Sequence, residues 1–211
     1  MRKPNIELLN IDCLEYLKQC EDKQFDLAIV DPPYGIGAAK MQMGNNKNKK
    51  WIKKDWDNET PTDEYFTELI RVSKNQIVWG GNYFKLPNVK GWIVWDKNNG
   101  ESDFADGELA WTSFDKPLKI KKIHWCGSAS NWEDTNGKIH PTQKPVKLYE
   151  WILDKYAKPN FKIIDTHLGS GSIAVACWNR KYDLVGIEID KEYYTKAVKR
   201  LEAHKKQLQL F

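Results

Sequence analysis

No run of the chain approaches the roughly 20 consecutive apolar residues that cross a bilayer, and no signal peptide is expected. The four cysteines (Cys13, Cys20, Cys126 and Cys177) form no CxxC pair, and His124, His140, His167 and His204 do not gather beside them. A membrane segment, a disulfide scaffold and a metal site are therefore not expected, and a reducing cytoplasm is. No internal repeat and no linker-like shift in composition interrupts the 211 residues, so one domain spanning 1–211 is expected. The formal charge of +4 is too small to point to nucleic acid by itself.

Aromatic residues and lysines are plentiful, and their placement is informative. Ten tryptophans exceed what a core of this size requires, so some rings are expected to face a ligand or partner. The stretch NKNKKWIKK (46–54) holds Lys47, Lys49, Lys50, Lys53 and Lys54 with few acids nearby. Further clusters lie in KPLKIKK (116–122) and KAVKRLEAHKK (196–206), the last read as a solvated helix end whose cations suit the dipole.

Apolar periodicity gives the coarse architecture. Strands are expected at IELLNID (6–12), FDLAIV (25–30), QIVWGG, GWIVW, ELAWTSF, LKIKKIHW, FKIID and YDLVGIEID. Between them CLEYLKQC reads as a short helix. A second helix opens at Thr60-Pro61 with apolar face Tyr65, Phe66, Leu69 and Ile70, and a third starts at Pro145. SIAVACWNRK and the basic C-terminus supply two more. Strands alternating with helices predict an α/β fold with a mostly parallel sheet covered on both faces. Residues 35–60, polar and aperiodic, read as a mobile loop, and the Gly/Ser/Asn-rich stretch 127–140 as a shorter one.

Two local patterns carry chemistry. The first is Val30-Asp31-Pro32-Pro33-Tyr34-Gly35, which places an acid, a rigid turn lacking two N–H groups and an aromatic ring at a strand end. The second is IIDTHLGSGSIAVA (163–176), a strand, glycine turn and helix, where Gly169 and Gly171 let the backbone approach a bound molecule. Glu188 follows Gly169 by 19 residues, the spacing at which an acid after the second strand meets the hydroxyls of a ribose. The turn has no phosphate-binding lysine, which favours a nucleoside without a triphosphate. A ligand-free strand–helix turn and a plain strand-ending Asp-Pro turn remain the alternatives for each motif taken alone.

Together, DPPY, DTHLGSGS, GIEID and HPTQKP (140–145) resemble the amino-methyltransferases of DNA. The DPPY element comes first and the glycine motif last, as in the β arrangement of that family, and the small size resembles its phage-like or orphan members. The resemblance runs from about Ile6 to Tyr194. It implies a single doubly wound, seven-stranded sheet, S-adenosylmethionine as cofactor, DNA as partner and base flipping, and it leaves a homodimer open. By the same resemblance Asp31, Pro32, Pro33 and Tyr34 are catalytic. Asp165 meets the methionine amino group. Leu168, Gly169, Ser170, Gly171 and Ser172 meet its carboxylate and methyl end, and Glu188 the ribose. Asp12 and Cys13 edge the adenine, while Thr142 and Lys144 close over the methionine carboxylate. The five lysines of the 35–60 loop would hold DNA phosphates. Asp12 also suits a helix N-cap, and Lys144 a solvent-facing position.

An adenine amine is a poor nucleophile because its lone pair is delocalised into the ring. Two acceptors on its hydrogens, the Asp31 carboxylate and the Pro32 carbonyl, would turn that lone pair out of plane and bind more strongly as positive charge develops. Tyr34 offers a ring for the flipped base. Asp rather than Ser before PPY favours adenine N6, with cytosine N4 as the runner-up and a catalytically inactive nucleic-acid-binding subunit as the alternative outside enzymes. Methylation of a protein glutamine fits less well, since its relatives carry Asn there and place the glycine motif first. Thr166-His167 stands where the family has Pro-Phe, and a neutral imidazole is expected as a stacking surface in place of the aromatic ring.

Overall fold

The computed structural model describes residues 2–37, 57–100, 105–124, 139–140 and 142–207. They form one eight-stranded sheet, one strand more than the family resemblance implies: all eight sequence-predicted runs pair. In chain order these are β1 (Ile6–Leu9), β2 (Phe25–Val30), β3 (Ser73–Trp79), β4 (Trp92–Asp96), β5 (Gly107–Thr112), β6 (Lys119–Lys122), β7 (Lys162–Asp165) and β8 (Asp183–Ile187). The spatial order is β1-β8-β7-β2-β3-β5-β4-β6. Only β5 runs against the rest, pairing antiparallel with both β3 and β4.

The helices are α1 (Cys13–Gln19), α2 (Asp63–Val72), α3 (Val146–Tyr156), α4 (Ser172–Arg180) and α5 (Lys191–Gln207). Side chains alternate along β2, so its two faces feed two cores. Leu27 and Ile29 join Leu148, Ile152, Ile173 and Leu201 of α3, α4 and α5. Ala28 and Val30 join Leu17, Tyr65 and Leu69 of α1 and α2. Because β2 is covered on both sides, it reads as a continuous apolar run broken only by Asp26. That residue's carboxylate takes the Lys74 ammonium at 2.7 Å and the Lys162 N–H at 2.9 Å, tying β2 to both neighbours.

Two boundaries shift from expectation. The first strand ends at Leu9, and Asp12 caps α1 instead, its Oδ1 accepting from the Glu15 N–H at 3.0 Å. Helix α2 starts after Thr62, not Thr60, because the Thr62 hydroxyl accepts from the Tyr65 N–H at 3.3 Å and Pro61 falls outside the helix. Among the described residues no helix is long and apolar enough to cross a membrane. Most of the loop expected at 35–60, with Lys47, Lys49, Lys50, Lys53 and Lys54, and most of that at 127–140 lie outside the described residues.

Candidate active site

The chain reverses its winding direction between β2 and β7. From β2 it proceeds to β3 on one side, and from β7 to β8 on the other. The carboxyl ends of two adjacent parallel strands at such a point leave a crevice where ligands bind. Leu27 pairs with Ile163 and Ala28 with Ile164, which sets Asp31 beside the Asp165 end of β7 although 134 positions separate them in sequence.

A cavity of about 280 Å³ opens there. Asp31 and Pro33 line it, as do Asp12, Cys13, Thr142, Lys144, Leu168, Gly169, Ser170, Ser172 and Glu188. Asp165 is buried, does not line the cavity and accepts from the His167 N–H at 3.0 Å. Gly171 forms the left-handed N-cap of α4 with φ 71°, where a Cβ would also stand 3.0 Å from Ala197 Cβ. Among the described residues no side chain caps α4, so the positive end of its dipole is available to an anion.

Glu188 braces this turn. One carboxylate oxygen accepts from the Gly169 N–H at 2.7 Å and the other from the Asp190 N–H at 2.9 Å. Arg200 of α5 supports it from behind, donating to the Ser170 carbonyl at 2.8 Å and to Ser172 Oγ at 3.0 Å. Arg200 corrects the expectation of a wholly solvated C-terminal basic face, since it is buried while Lys199 is exposed.

Asp31 is tied down on both oxygens. The Tyr34 hydroxyl donates to Oδ1 at 2.7 Å, and the Lys144 ammonium donates to Oδ2 at 2.6 Å. Lys144 is 3% exposed, so it is not a solvent-facing residue. Although it lines the cavity, its ammonium is engaged by Asp31 and, at 3.0 Å, by Glu108 of β5. Glu108 also pairs with Lys97 at 2.8 Å. Burial alone would raise the Glu108 carboxyl, but Lys144 and Lys97 outweigh it and hold the group at about 2. Burial raises Asp31, and Lys144 offsets this only in part. Two carboxylates share one ammonium, and among the described residues only Glu108 has a second cation.

Tyr34 is not an open platform on both faces. Its ring stacks on Tyr83 with centroids 5.1 Å apart and planes 14° apart, and Phe84 meets it edge-on at 6.2 Å. Gly80, with φ 66°, lets it lie so close that a Cβ there would stand 2.2 Å from Tyr34 Cε1. Tyr83 is 48% exposed and covers one face of the expected stacking ring. Buried Asp57 fixes the backbone beside it, its Oδ1 accepting from the N–H groups of Tyr34 at 2.6 Å and Gly35 at 3.0 Å.

Among the described residues Asp165 has no cation paired with it as Lys144 is with Asp31. Burial first, then the neighbouring Asp31 and Glu188 carboxylates, push it up to about 8 despite its hydrogen bond from His167. The His167 imidazole is held neutral, lowered to about 4 chiefly by burial, and meets Tyr65 edge-on at 5.4 Å. Burial, aided by Asp12, raises the Cys13 thiol to about 12, so it lines the cavity as a neutral group. Gln143, quoted within HPTQKP but not singled out there, is buried against the cavity with its Nε2 unpartnered among the described residues. The cavity is therefore lined by the Glu188 carboxylate, the start of a helix with no side-chain cap and Gln143, while the Asp165 carboxyl is buried outside the lining. This donor set fits an amino-acid-bearing nucleoside.

The chain matches a family model described as DNA methylase, of the N6/N4 type, over residues 95–199. The Type II methyltransferase M.HpaI of Haemophilus parainfluenzae is 25% identical over 240 residues, covering 93% of this chain and 74% of that protein. Among solved structures, the M1.HpyAVI–SAM complex aligns with a TM-score of 0.60 at 24% identity, covering 93% of this chain and 98% of that one. The PvuII DNA methyltransferase, titled cytosine-N4-specific, aligns with a TM-score of 0.60 at 15% identity over 97% and 93% of the two chains. At those identities the two structures speak for the fold alone.

Proposed function

We propose that this chain is a DNA methylase of the N6/N4 type and that it methylates the exocyclic amine of a base in DNA, with adenine N6 as the target. One observation carries this assignment: Asp31 and Pro33 of the proline turn and Thr166 to Ser170 of the glycine turn, remote in sequence, line a single cavity at adjacent strand ends. S-adenosylmethionine, when bound, supplies an electrophilic methyl group.

The protein's own residues do the rest. Asp165 holds an amino group, the α4 N-terminus and Gln143 Nε2 hold a carboxylate, and Glu188 faces the ribose while keeping Gly169 in place. Asp31 and the Pro32 carbonyl accept hydrogen bonds from the target amine and favour its pyramidal, partly cationic form over the flat ground state. A carboxylate oxygen has lone pairs to spare beyond the Tyr34 and Lys144 contacts, so Asp31 can take the amine without losing both. Tyr34, stiffened by Tyr83 and Gly80, presents its remaining face to the flipped base. Lys47, Lys49, Lys50, Lys53 and Lys54 lie between Gly35 and Asp57, whose contacts hold both ends of that loop beside the site, and we assign them to flanking phosphates.

The aspartate before PPY favours adenine. Cytosine N4 is kept as the runner-up, since one protein of this fold is named as cytosine-N4-specific. Incubating the protein with DNA and methyl-labelled S-adenosylmethionine, then digesting to nucleosides for mass spectrometry, tests both points. N6-methyladenine is expected. N4-methylcytosine as the main product would transfer the assignment to the runner-up, and no labelled nucleoside would refute methylation of DNA.

A further inference from the structure

Lys144 and Glu108 have no counterpart in the acceptor-pair chemistry, yet they are buried against its centre. Lys144 Nζ contacts Asp31 Oδ2 at 2.6 Å, the Tyr34 hydroxyl at 3.3 Å and Glu108 Oε2 at 3.0 Å, above the Trp79 ring at 5.0 Å. The contact with Glu108 Oε2 lacks hydrogen-bond geometry, and that oxygen has no other hydrogen-bond partner among the described residues. The other Glu108 oxygen is anchored by Lys97. The ammonium thus has a strong bond to Asp31 and a second acceptor already within reach.

We propose that Lys144 and Glu108 are positioning residues for methyl transfer: Lys144 keeps Asp31 ionised and oriented, and Glu108 receives the ammonium as the target amine takes its place on Asp31. This rests on the methylation assigned above. Asp31, Glu108, Lys144 and Lys97 sum to zero charge, so an incoming neutral amine meets a balanced cluster. As positive charge grows on the amine nitrogen, Asp31 binds it more tightly and needs the ammonium less. Glu108 Oε2 then gives the displaced Nζ a full hydrogen bond, so no cation is left bare in a buried site. Lys144 lowers, though only in part, the basicity that burial gives Asp31, so the carboxylate serves first as an acceptor for the amine. The groups acting on Asp31 come from every element around it: Tyr34 in its own turn, Glu108 of β5, Lys144 ahead of α3, Tyr149 of α3 and Asp165 of β7.

The test is a carbon-13 titration of aspartate carboxyls in the full chain without cofactor, with Asp31→Asn identifying the resonance. Lys144→Met should raise the Asp31 midpoint by more than about one pH unit, as loss of a buried counter-ion does. Glu108→Gln should lower it, because the ammonium then serves one carboxylate. That second variant keeps the Asp31–Lys144 pair, so it reads out even if the first fails to fold. The acid limb of kcat should move in the same two directions, and S-adenosylmethionine affinity should stay within about threefold, the spread ordinary for a residue off the ligand. An unmoved Asp31 midpoint in Glu108→Gln would overturn the proposal. So would a tenfold loss of cofactor affinity in Lys144→Met with an unchanged midpoint, which would return Lys144 to the methionine carboxylate. If the unmodified protein methylates no DNA, the function assignment falls, while the carboxyl titration still decides the coupling.

Discussion

Replacing Asp165 by Asn should remove a proton-release signal that cofactor binding otherwise produces. Asp165 sits at about 8 because it is buried near Asp31 and Glu188. At pH 7 a group of that pKa is about nine-tenths protonated. An amino group docking on it requires the carboxylate, so binding should expel about 0.9 proton at pH 7 and about 0.1 at pH 9. Apparent affinity should scale with the ionised fraction, which rises about ninefold between pH 6 and pH 7, a range where an α-amino group stays largely charged. Titration calorimetry in phosphate and in Tris, whose ionisation enthalpies differ, measures the proton count from the change in observed heat. Equal heats at pH 7, or a ninefold pH effect retained in Asp165→Asn, would refute this account. The same shift acts on stability. The folded state holds this proton more tightly than the unfolded chain, so the contribution is complete below the ordinary carboxylate range. It is lost as pH rises from there through about 8, and added cofactor should reverse that loss.

Three further outcomes follow from other parts of the site. Asp31→Ala should abolish methyl transfer with cofactor affinity nearly unchanged; turnover above about a tenth of the original would put its contribution below roughly 1.4 kcal/mol and exclude the acceptor pair. Gly80→Ala should displace the Tyr34 ring and destabilise the fold by more than about 1 kcal/mol, since a left-handed non-glycine residue costs that before any clash; thermal melting and single-turnover rates check the two effects, and an unaltered melt would contradict the contact. Changing Lys49 and Lys50 to Gln should lower the slope of log affinity against log salt by up to about 2 for every DNA sequence alike, as phosphate contacts do; an unchanged slope in binding isotherms would pass DNA holding to the Lys119–Lys122 strand.

What was legible in the sequence was local. The apolar run of β2, the proline turn after it and the glycine turn after β7 each follow from neighbours in the chain, as does the Asp12 cap three residues before Glu15. What was illegible depends on register between distant segments. Glu108 reaches Lys144 only because β5 runs antiparallel to β3, with Ala110 opposite Trp79, and no pattern within GELAWT announces this. Its one clue was an acid inside an apolar strand. Arg200 was hidden among lysines on a basic helix, although a buried arginine against a glycine turn serves hydrogen bonding more than charge. The Thr60 error arose where two threonines flank a proline, and only the Thr62 hydroxyl finds an N–H.

Asp57 gives the molecule a modular joint. Its side chain grips the backbone of Tyr34 and Gly35, and its carbonyl accepts from the Gly37 N–H at 3.1 Å, so the chain leaves and returns through one clasp. The sequence enclosed by a clasp can change in length at little thermodynamic cost, since doubling a closed loop costs only about 0.6 kcal/mol. A designer could therefore use Gly37 and Asp57 as splice points, with the clasp itself holding the tyrosine and the carboxylate beside it in their places. Asp57→Ala should uncouple the two, making the chemistry sensitive to whatever is grafted there.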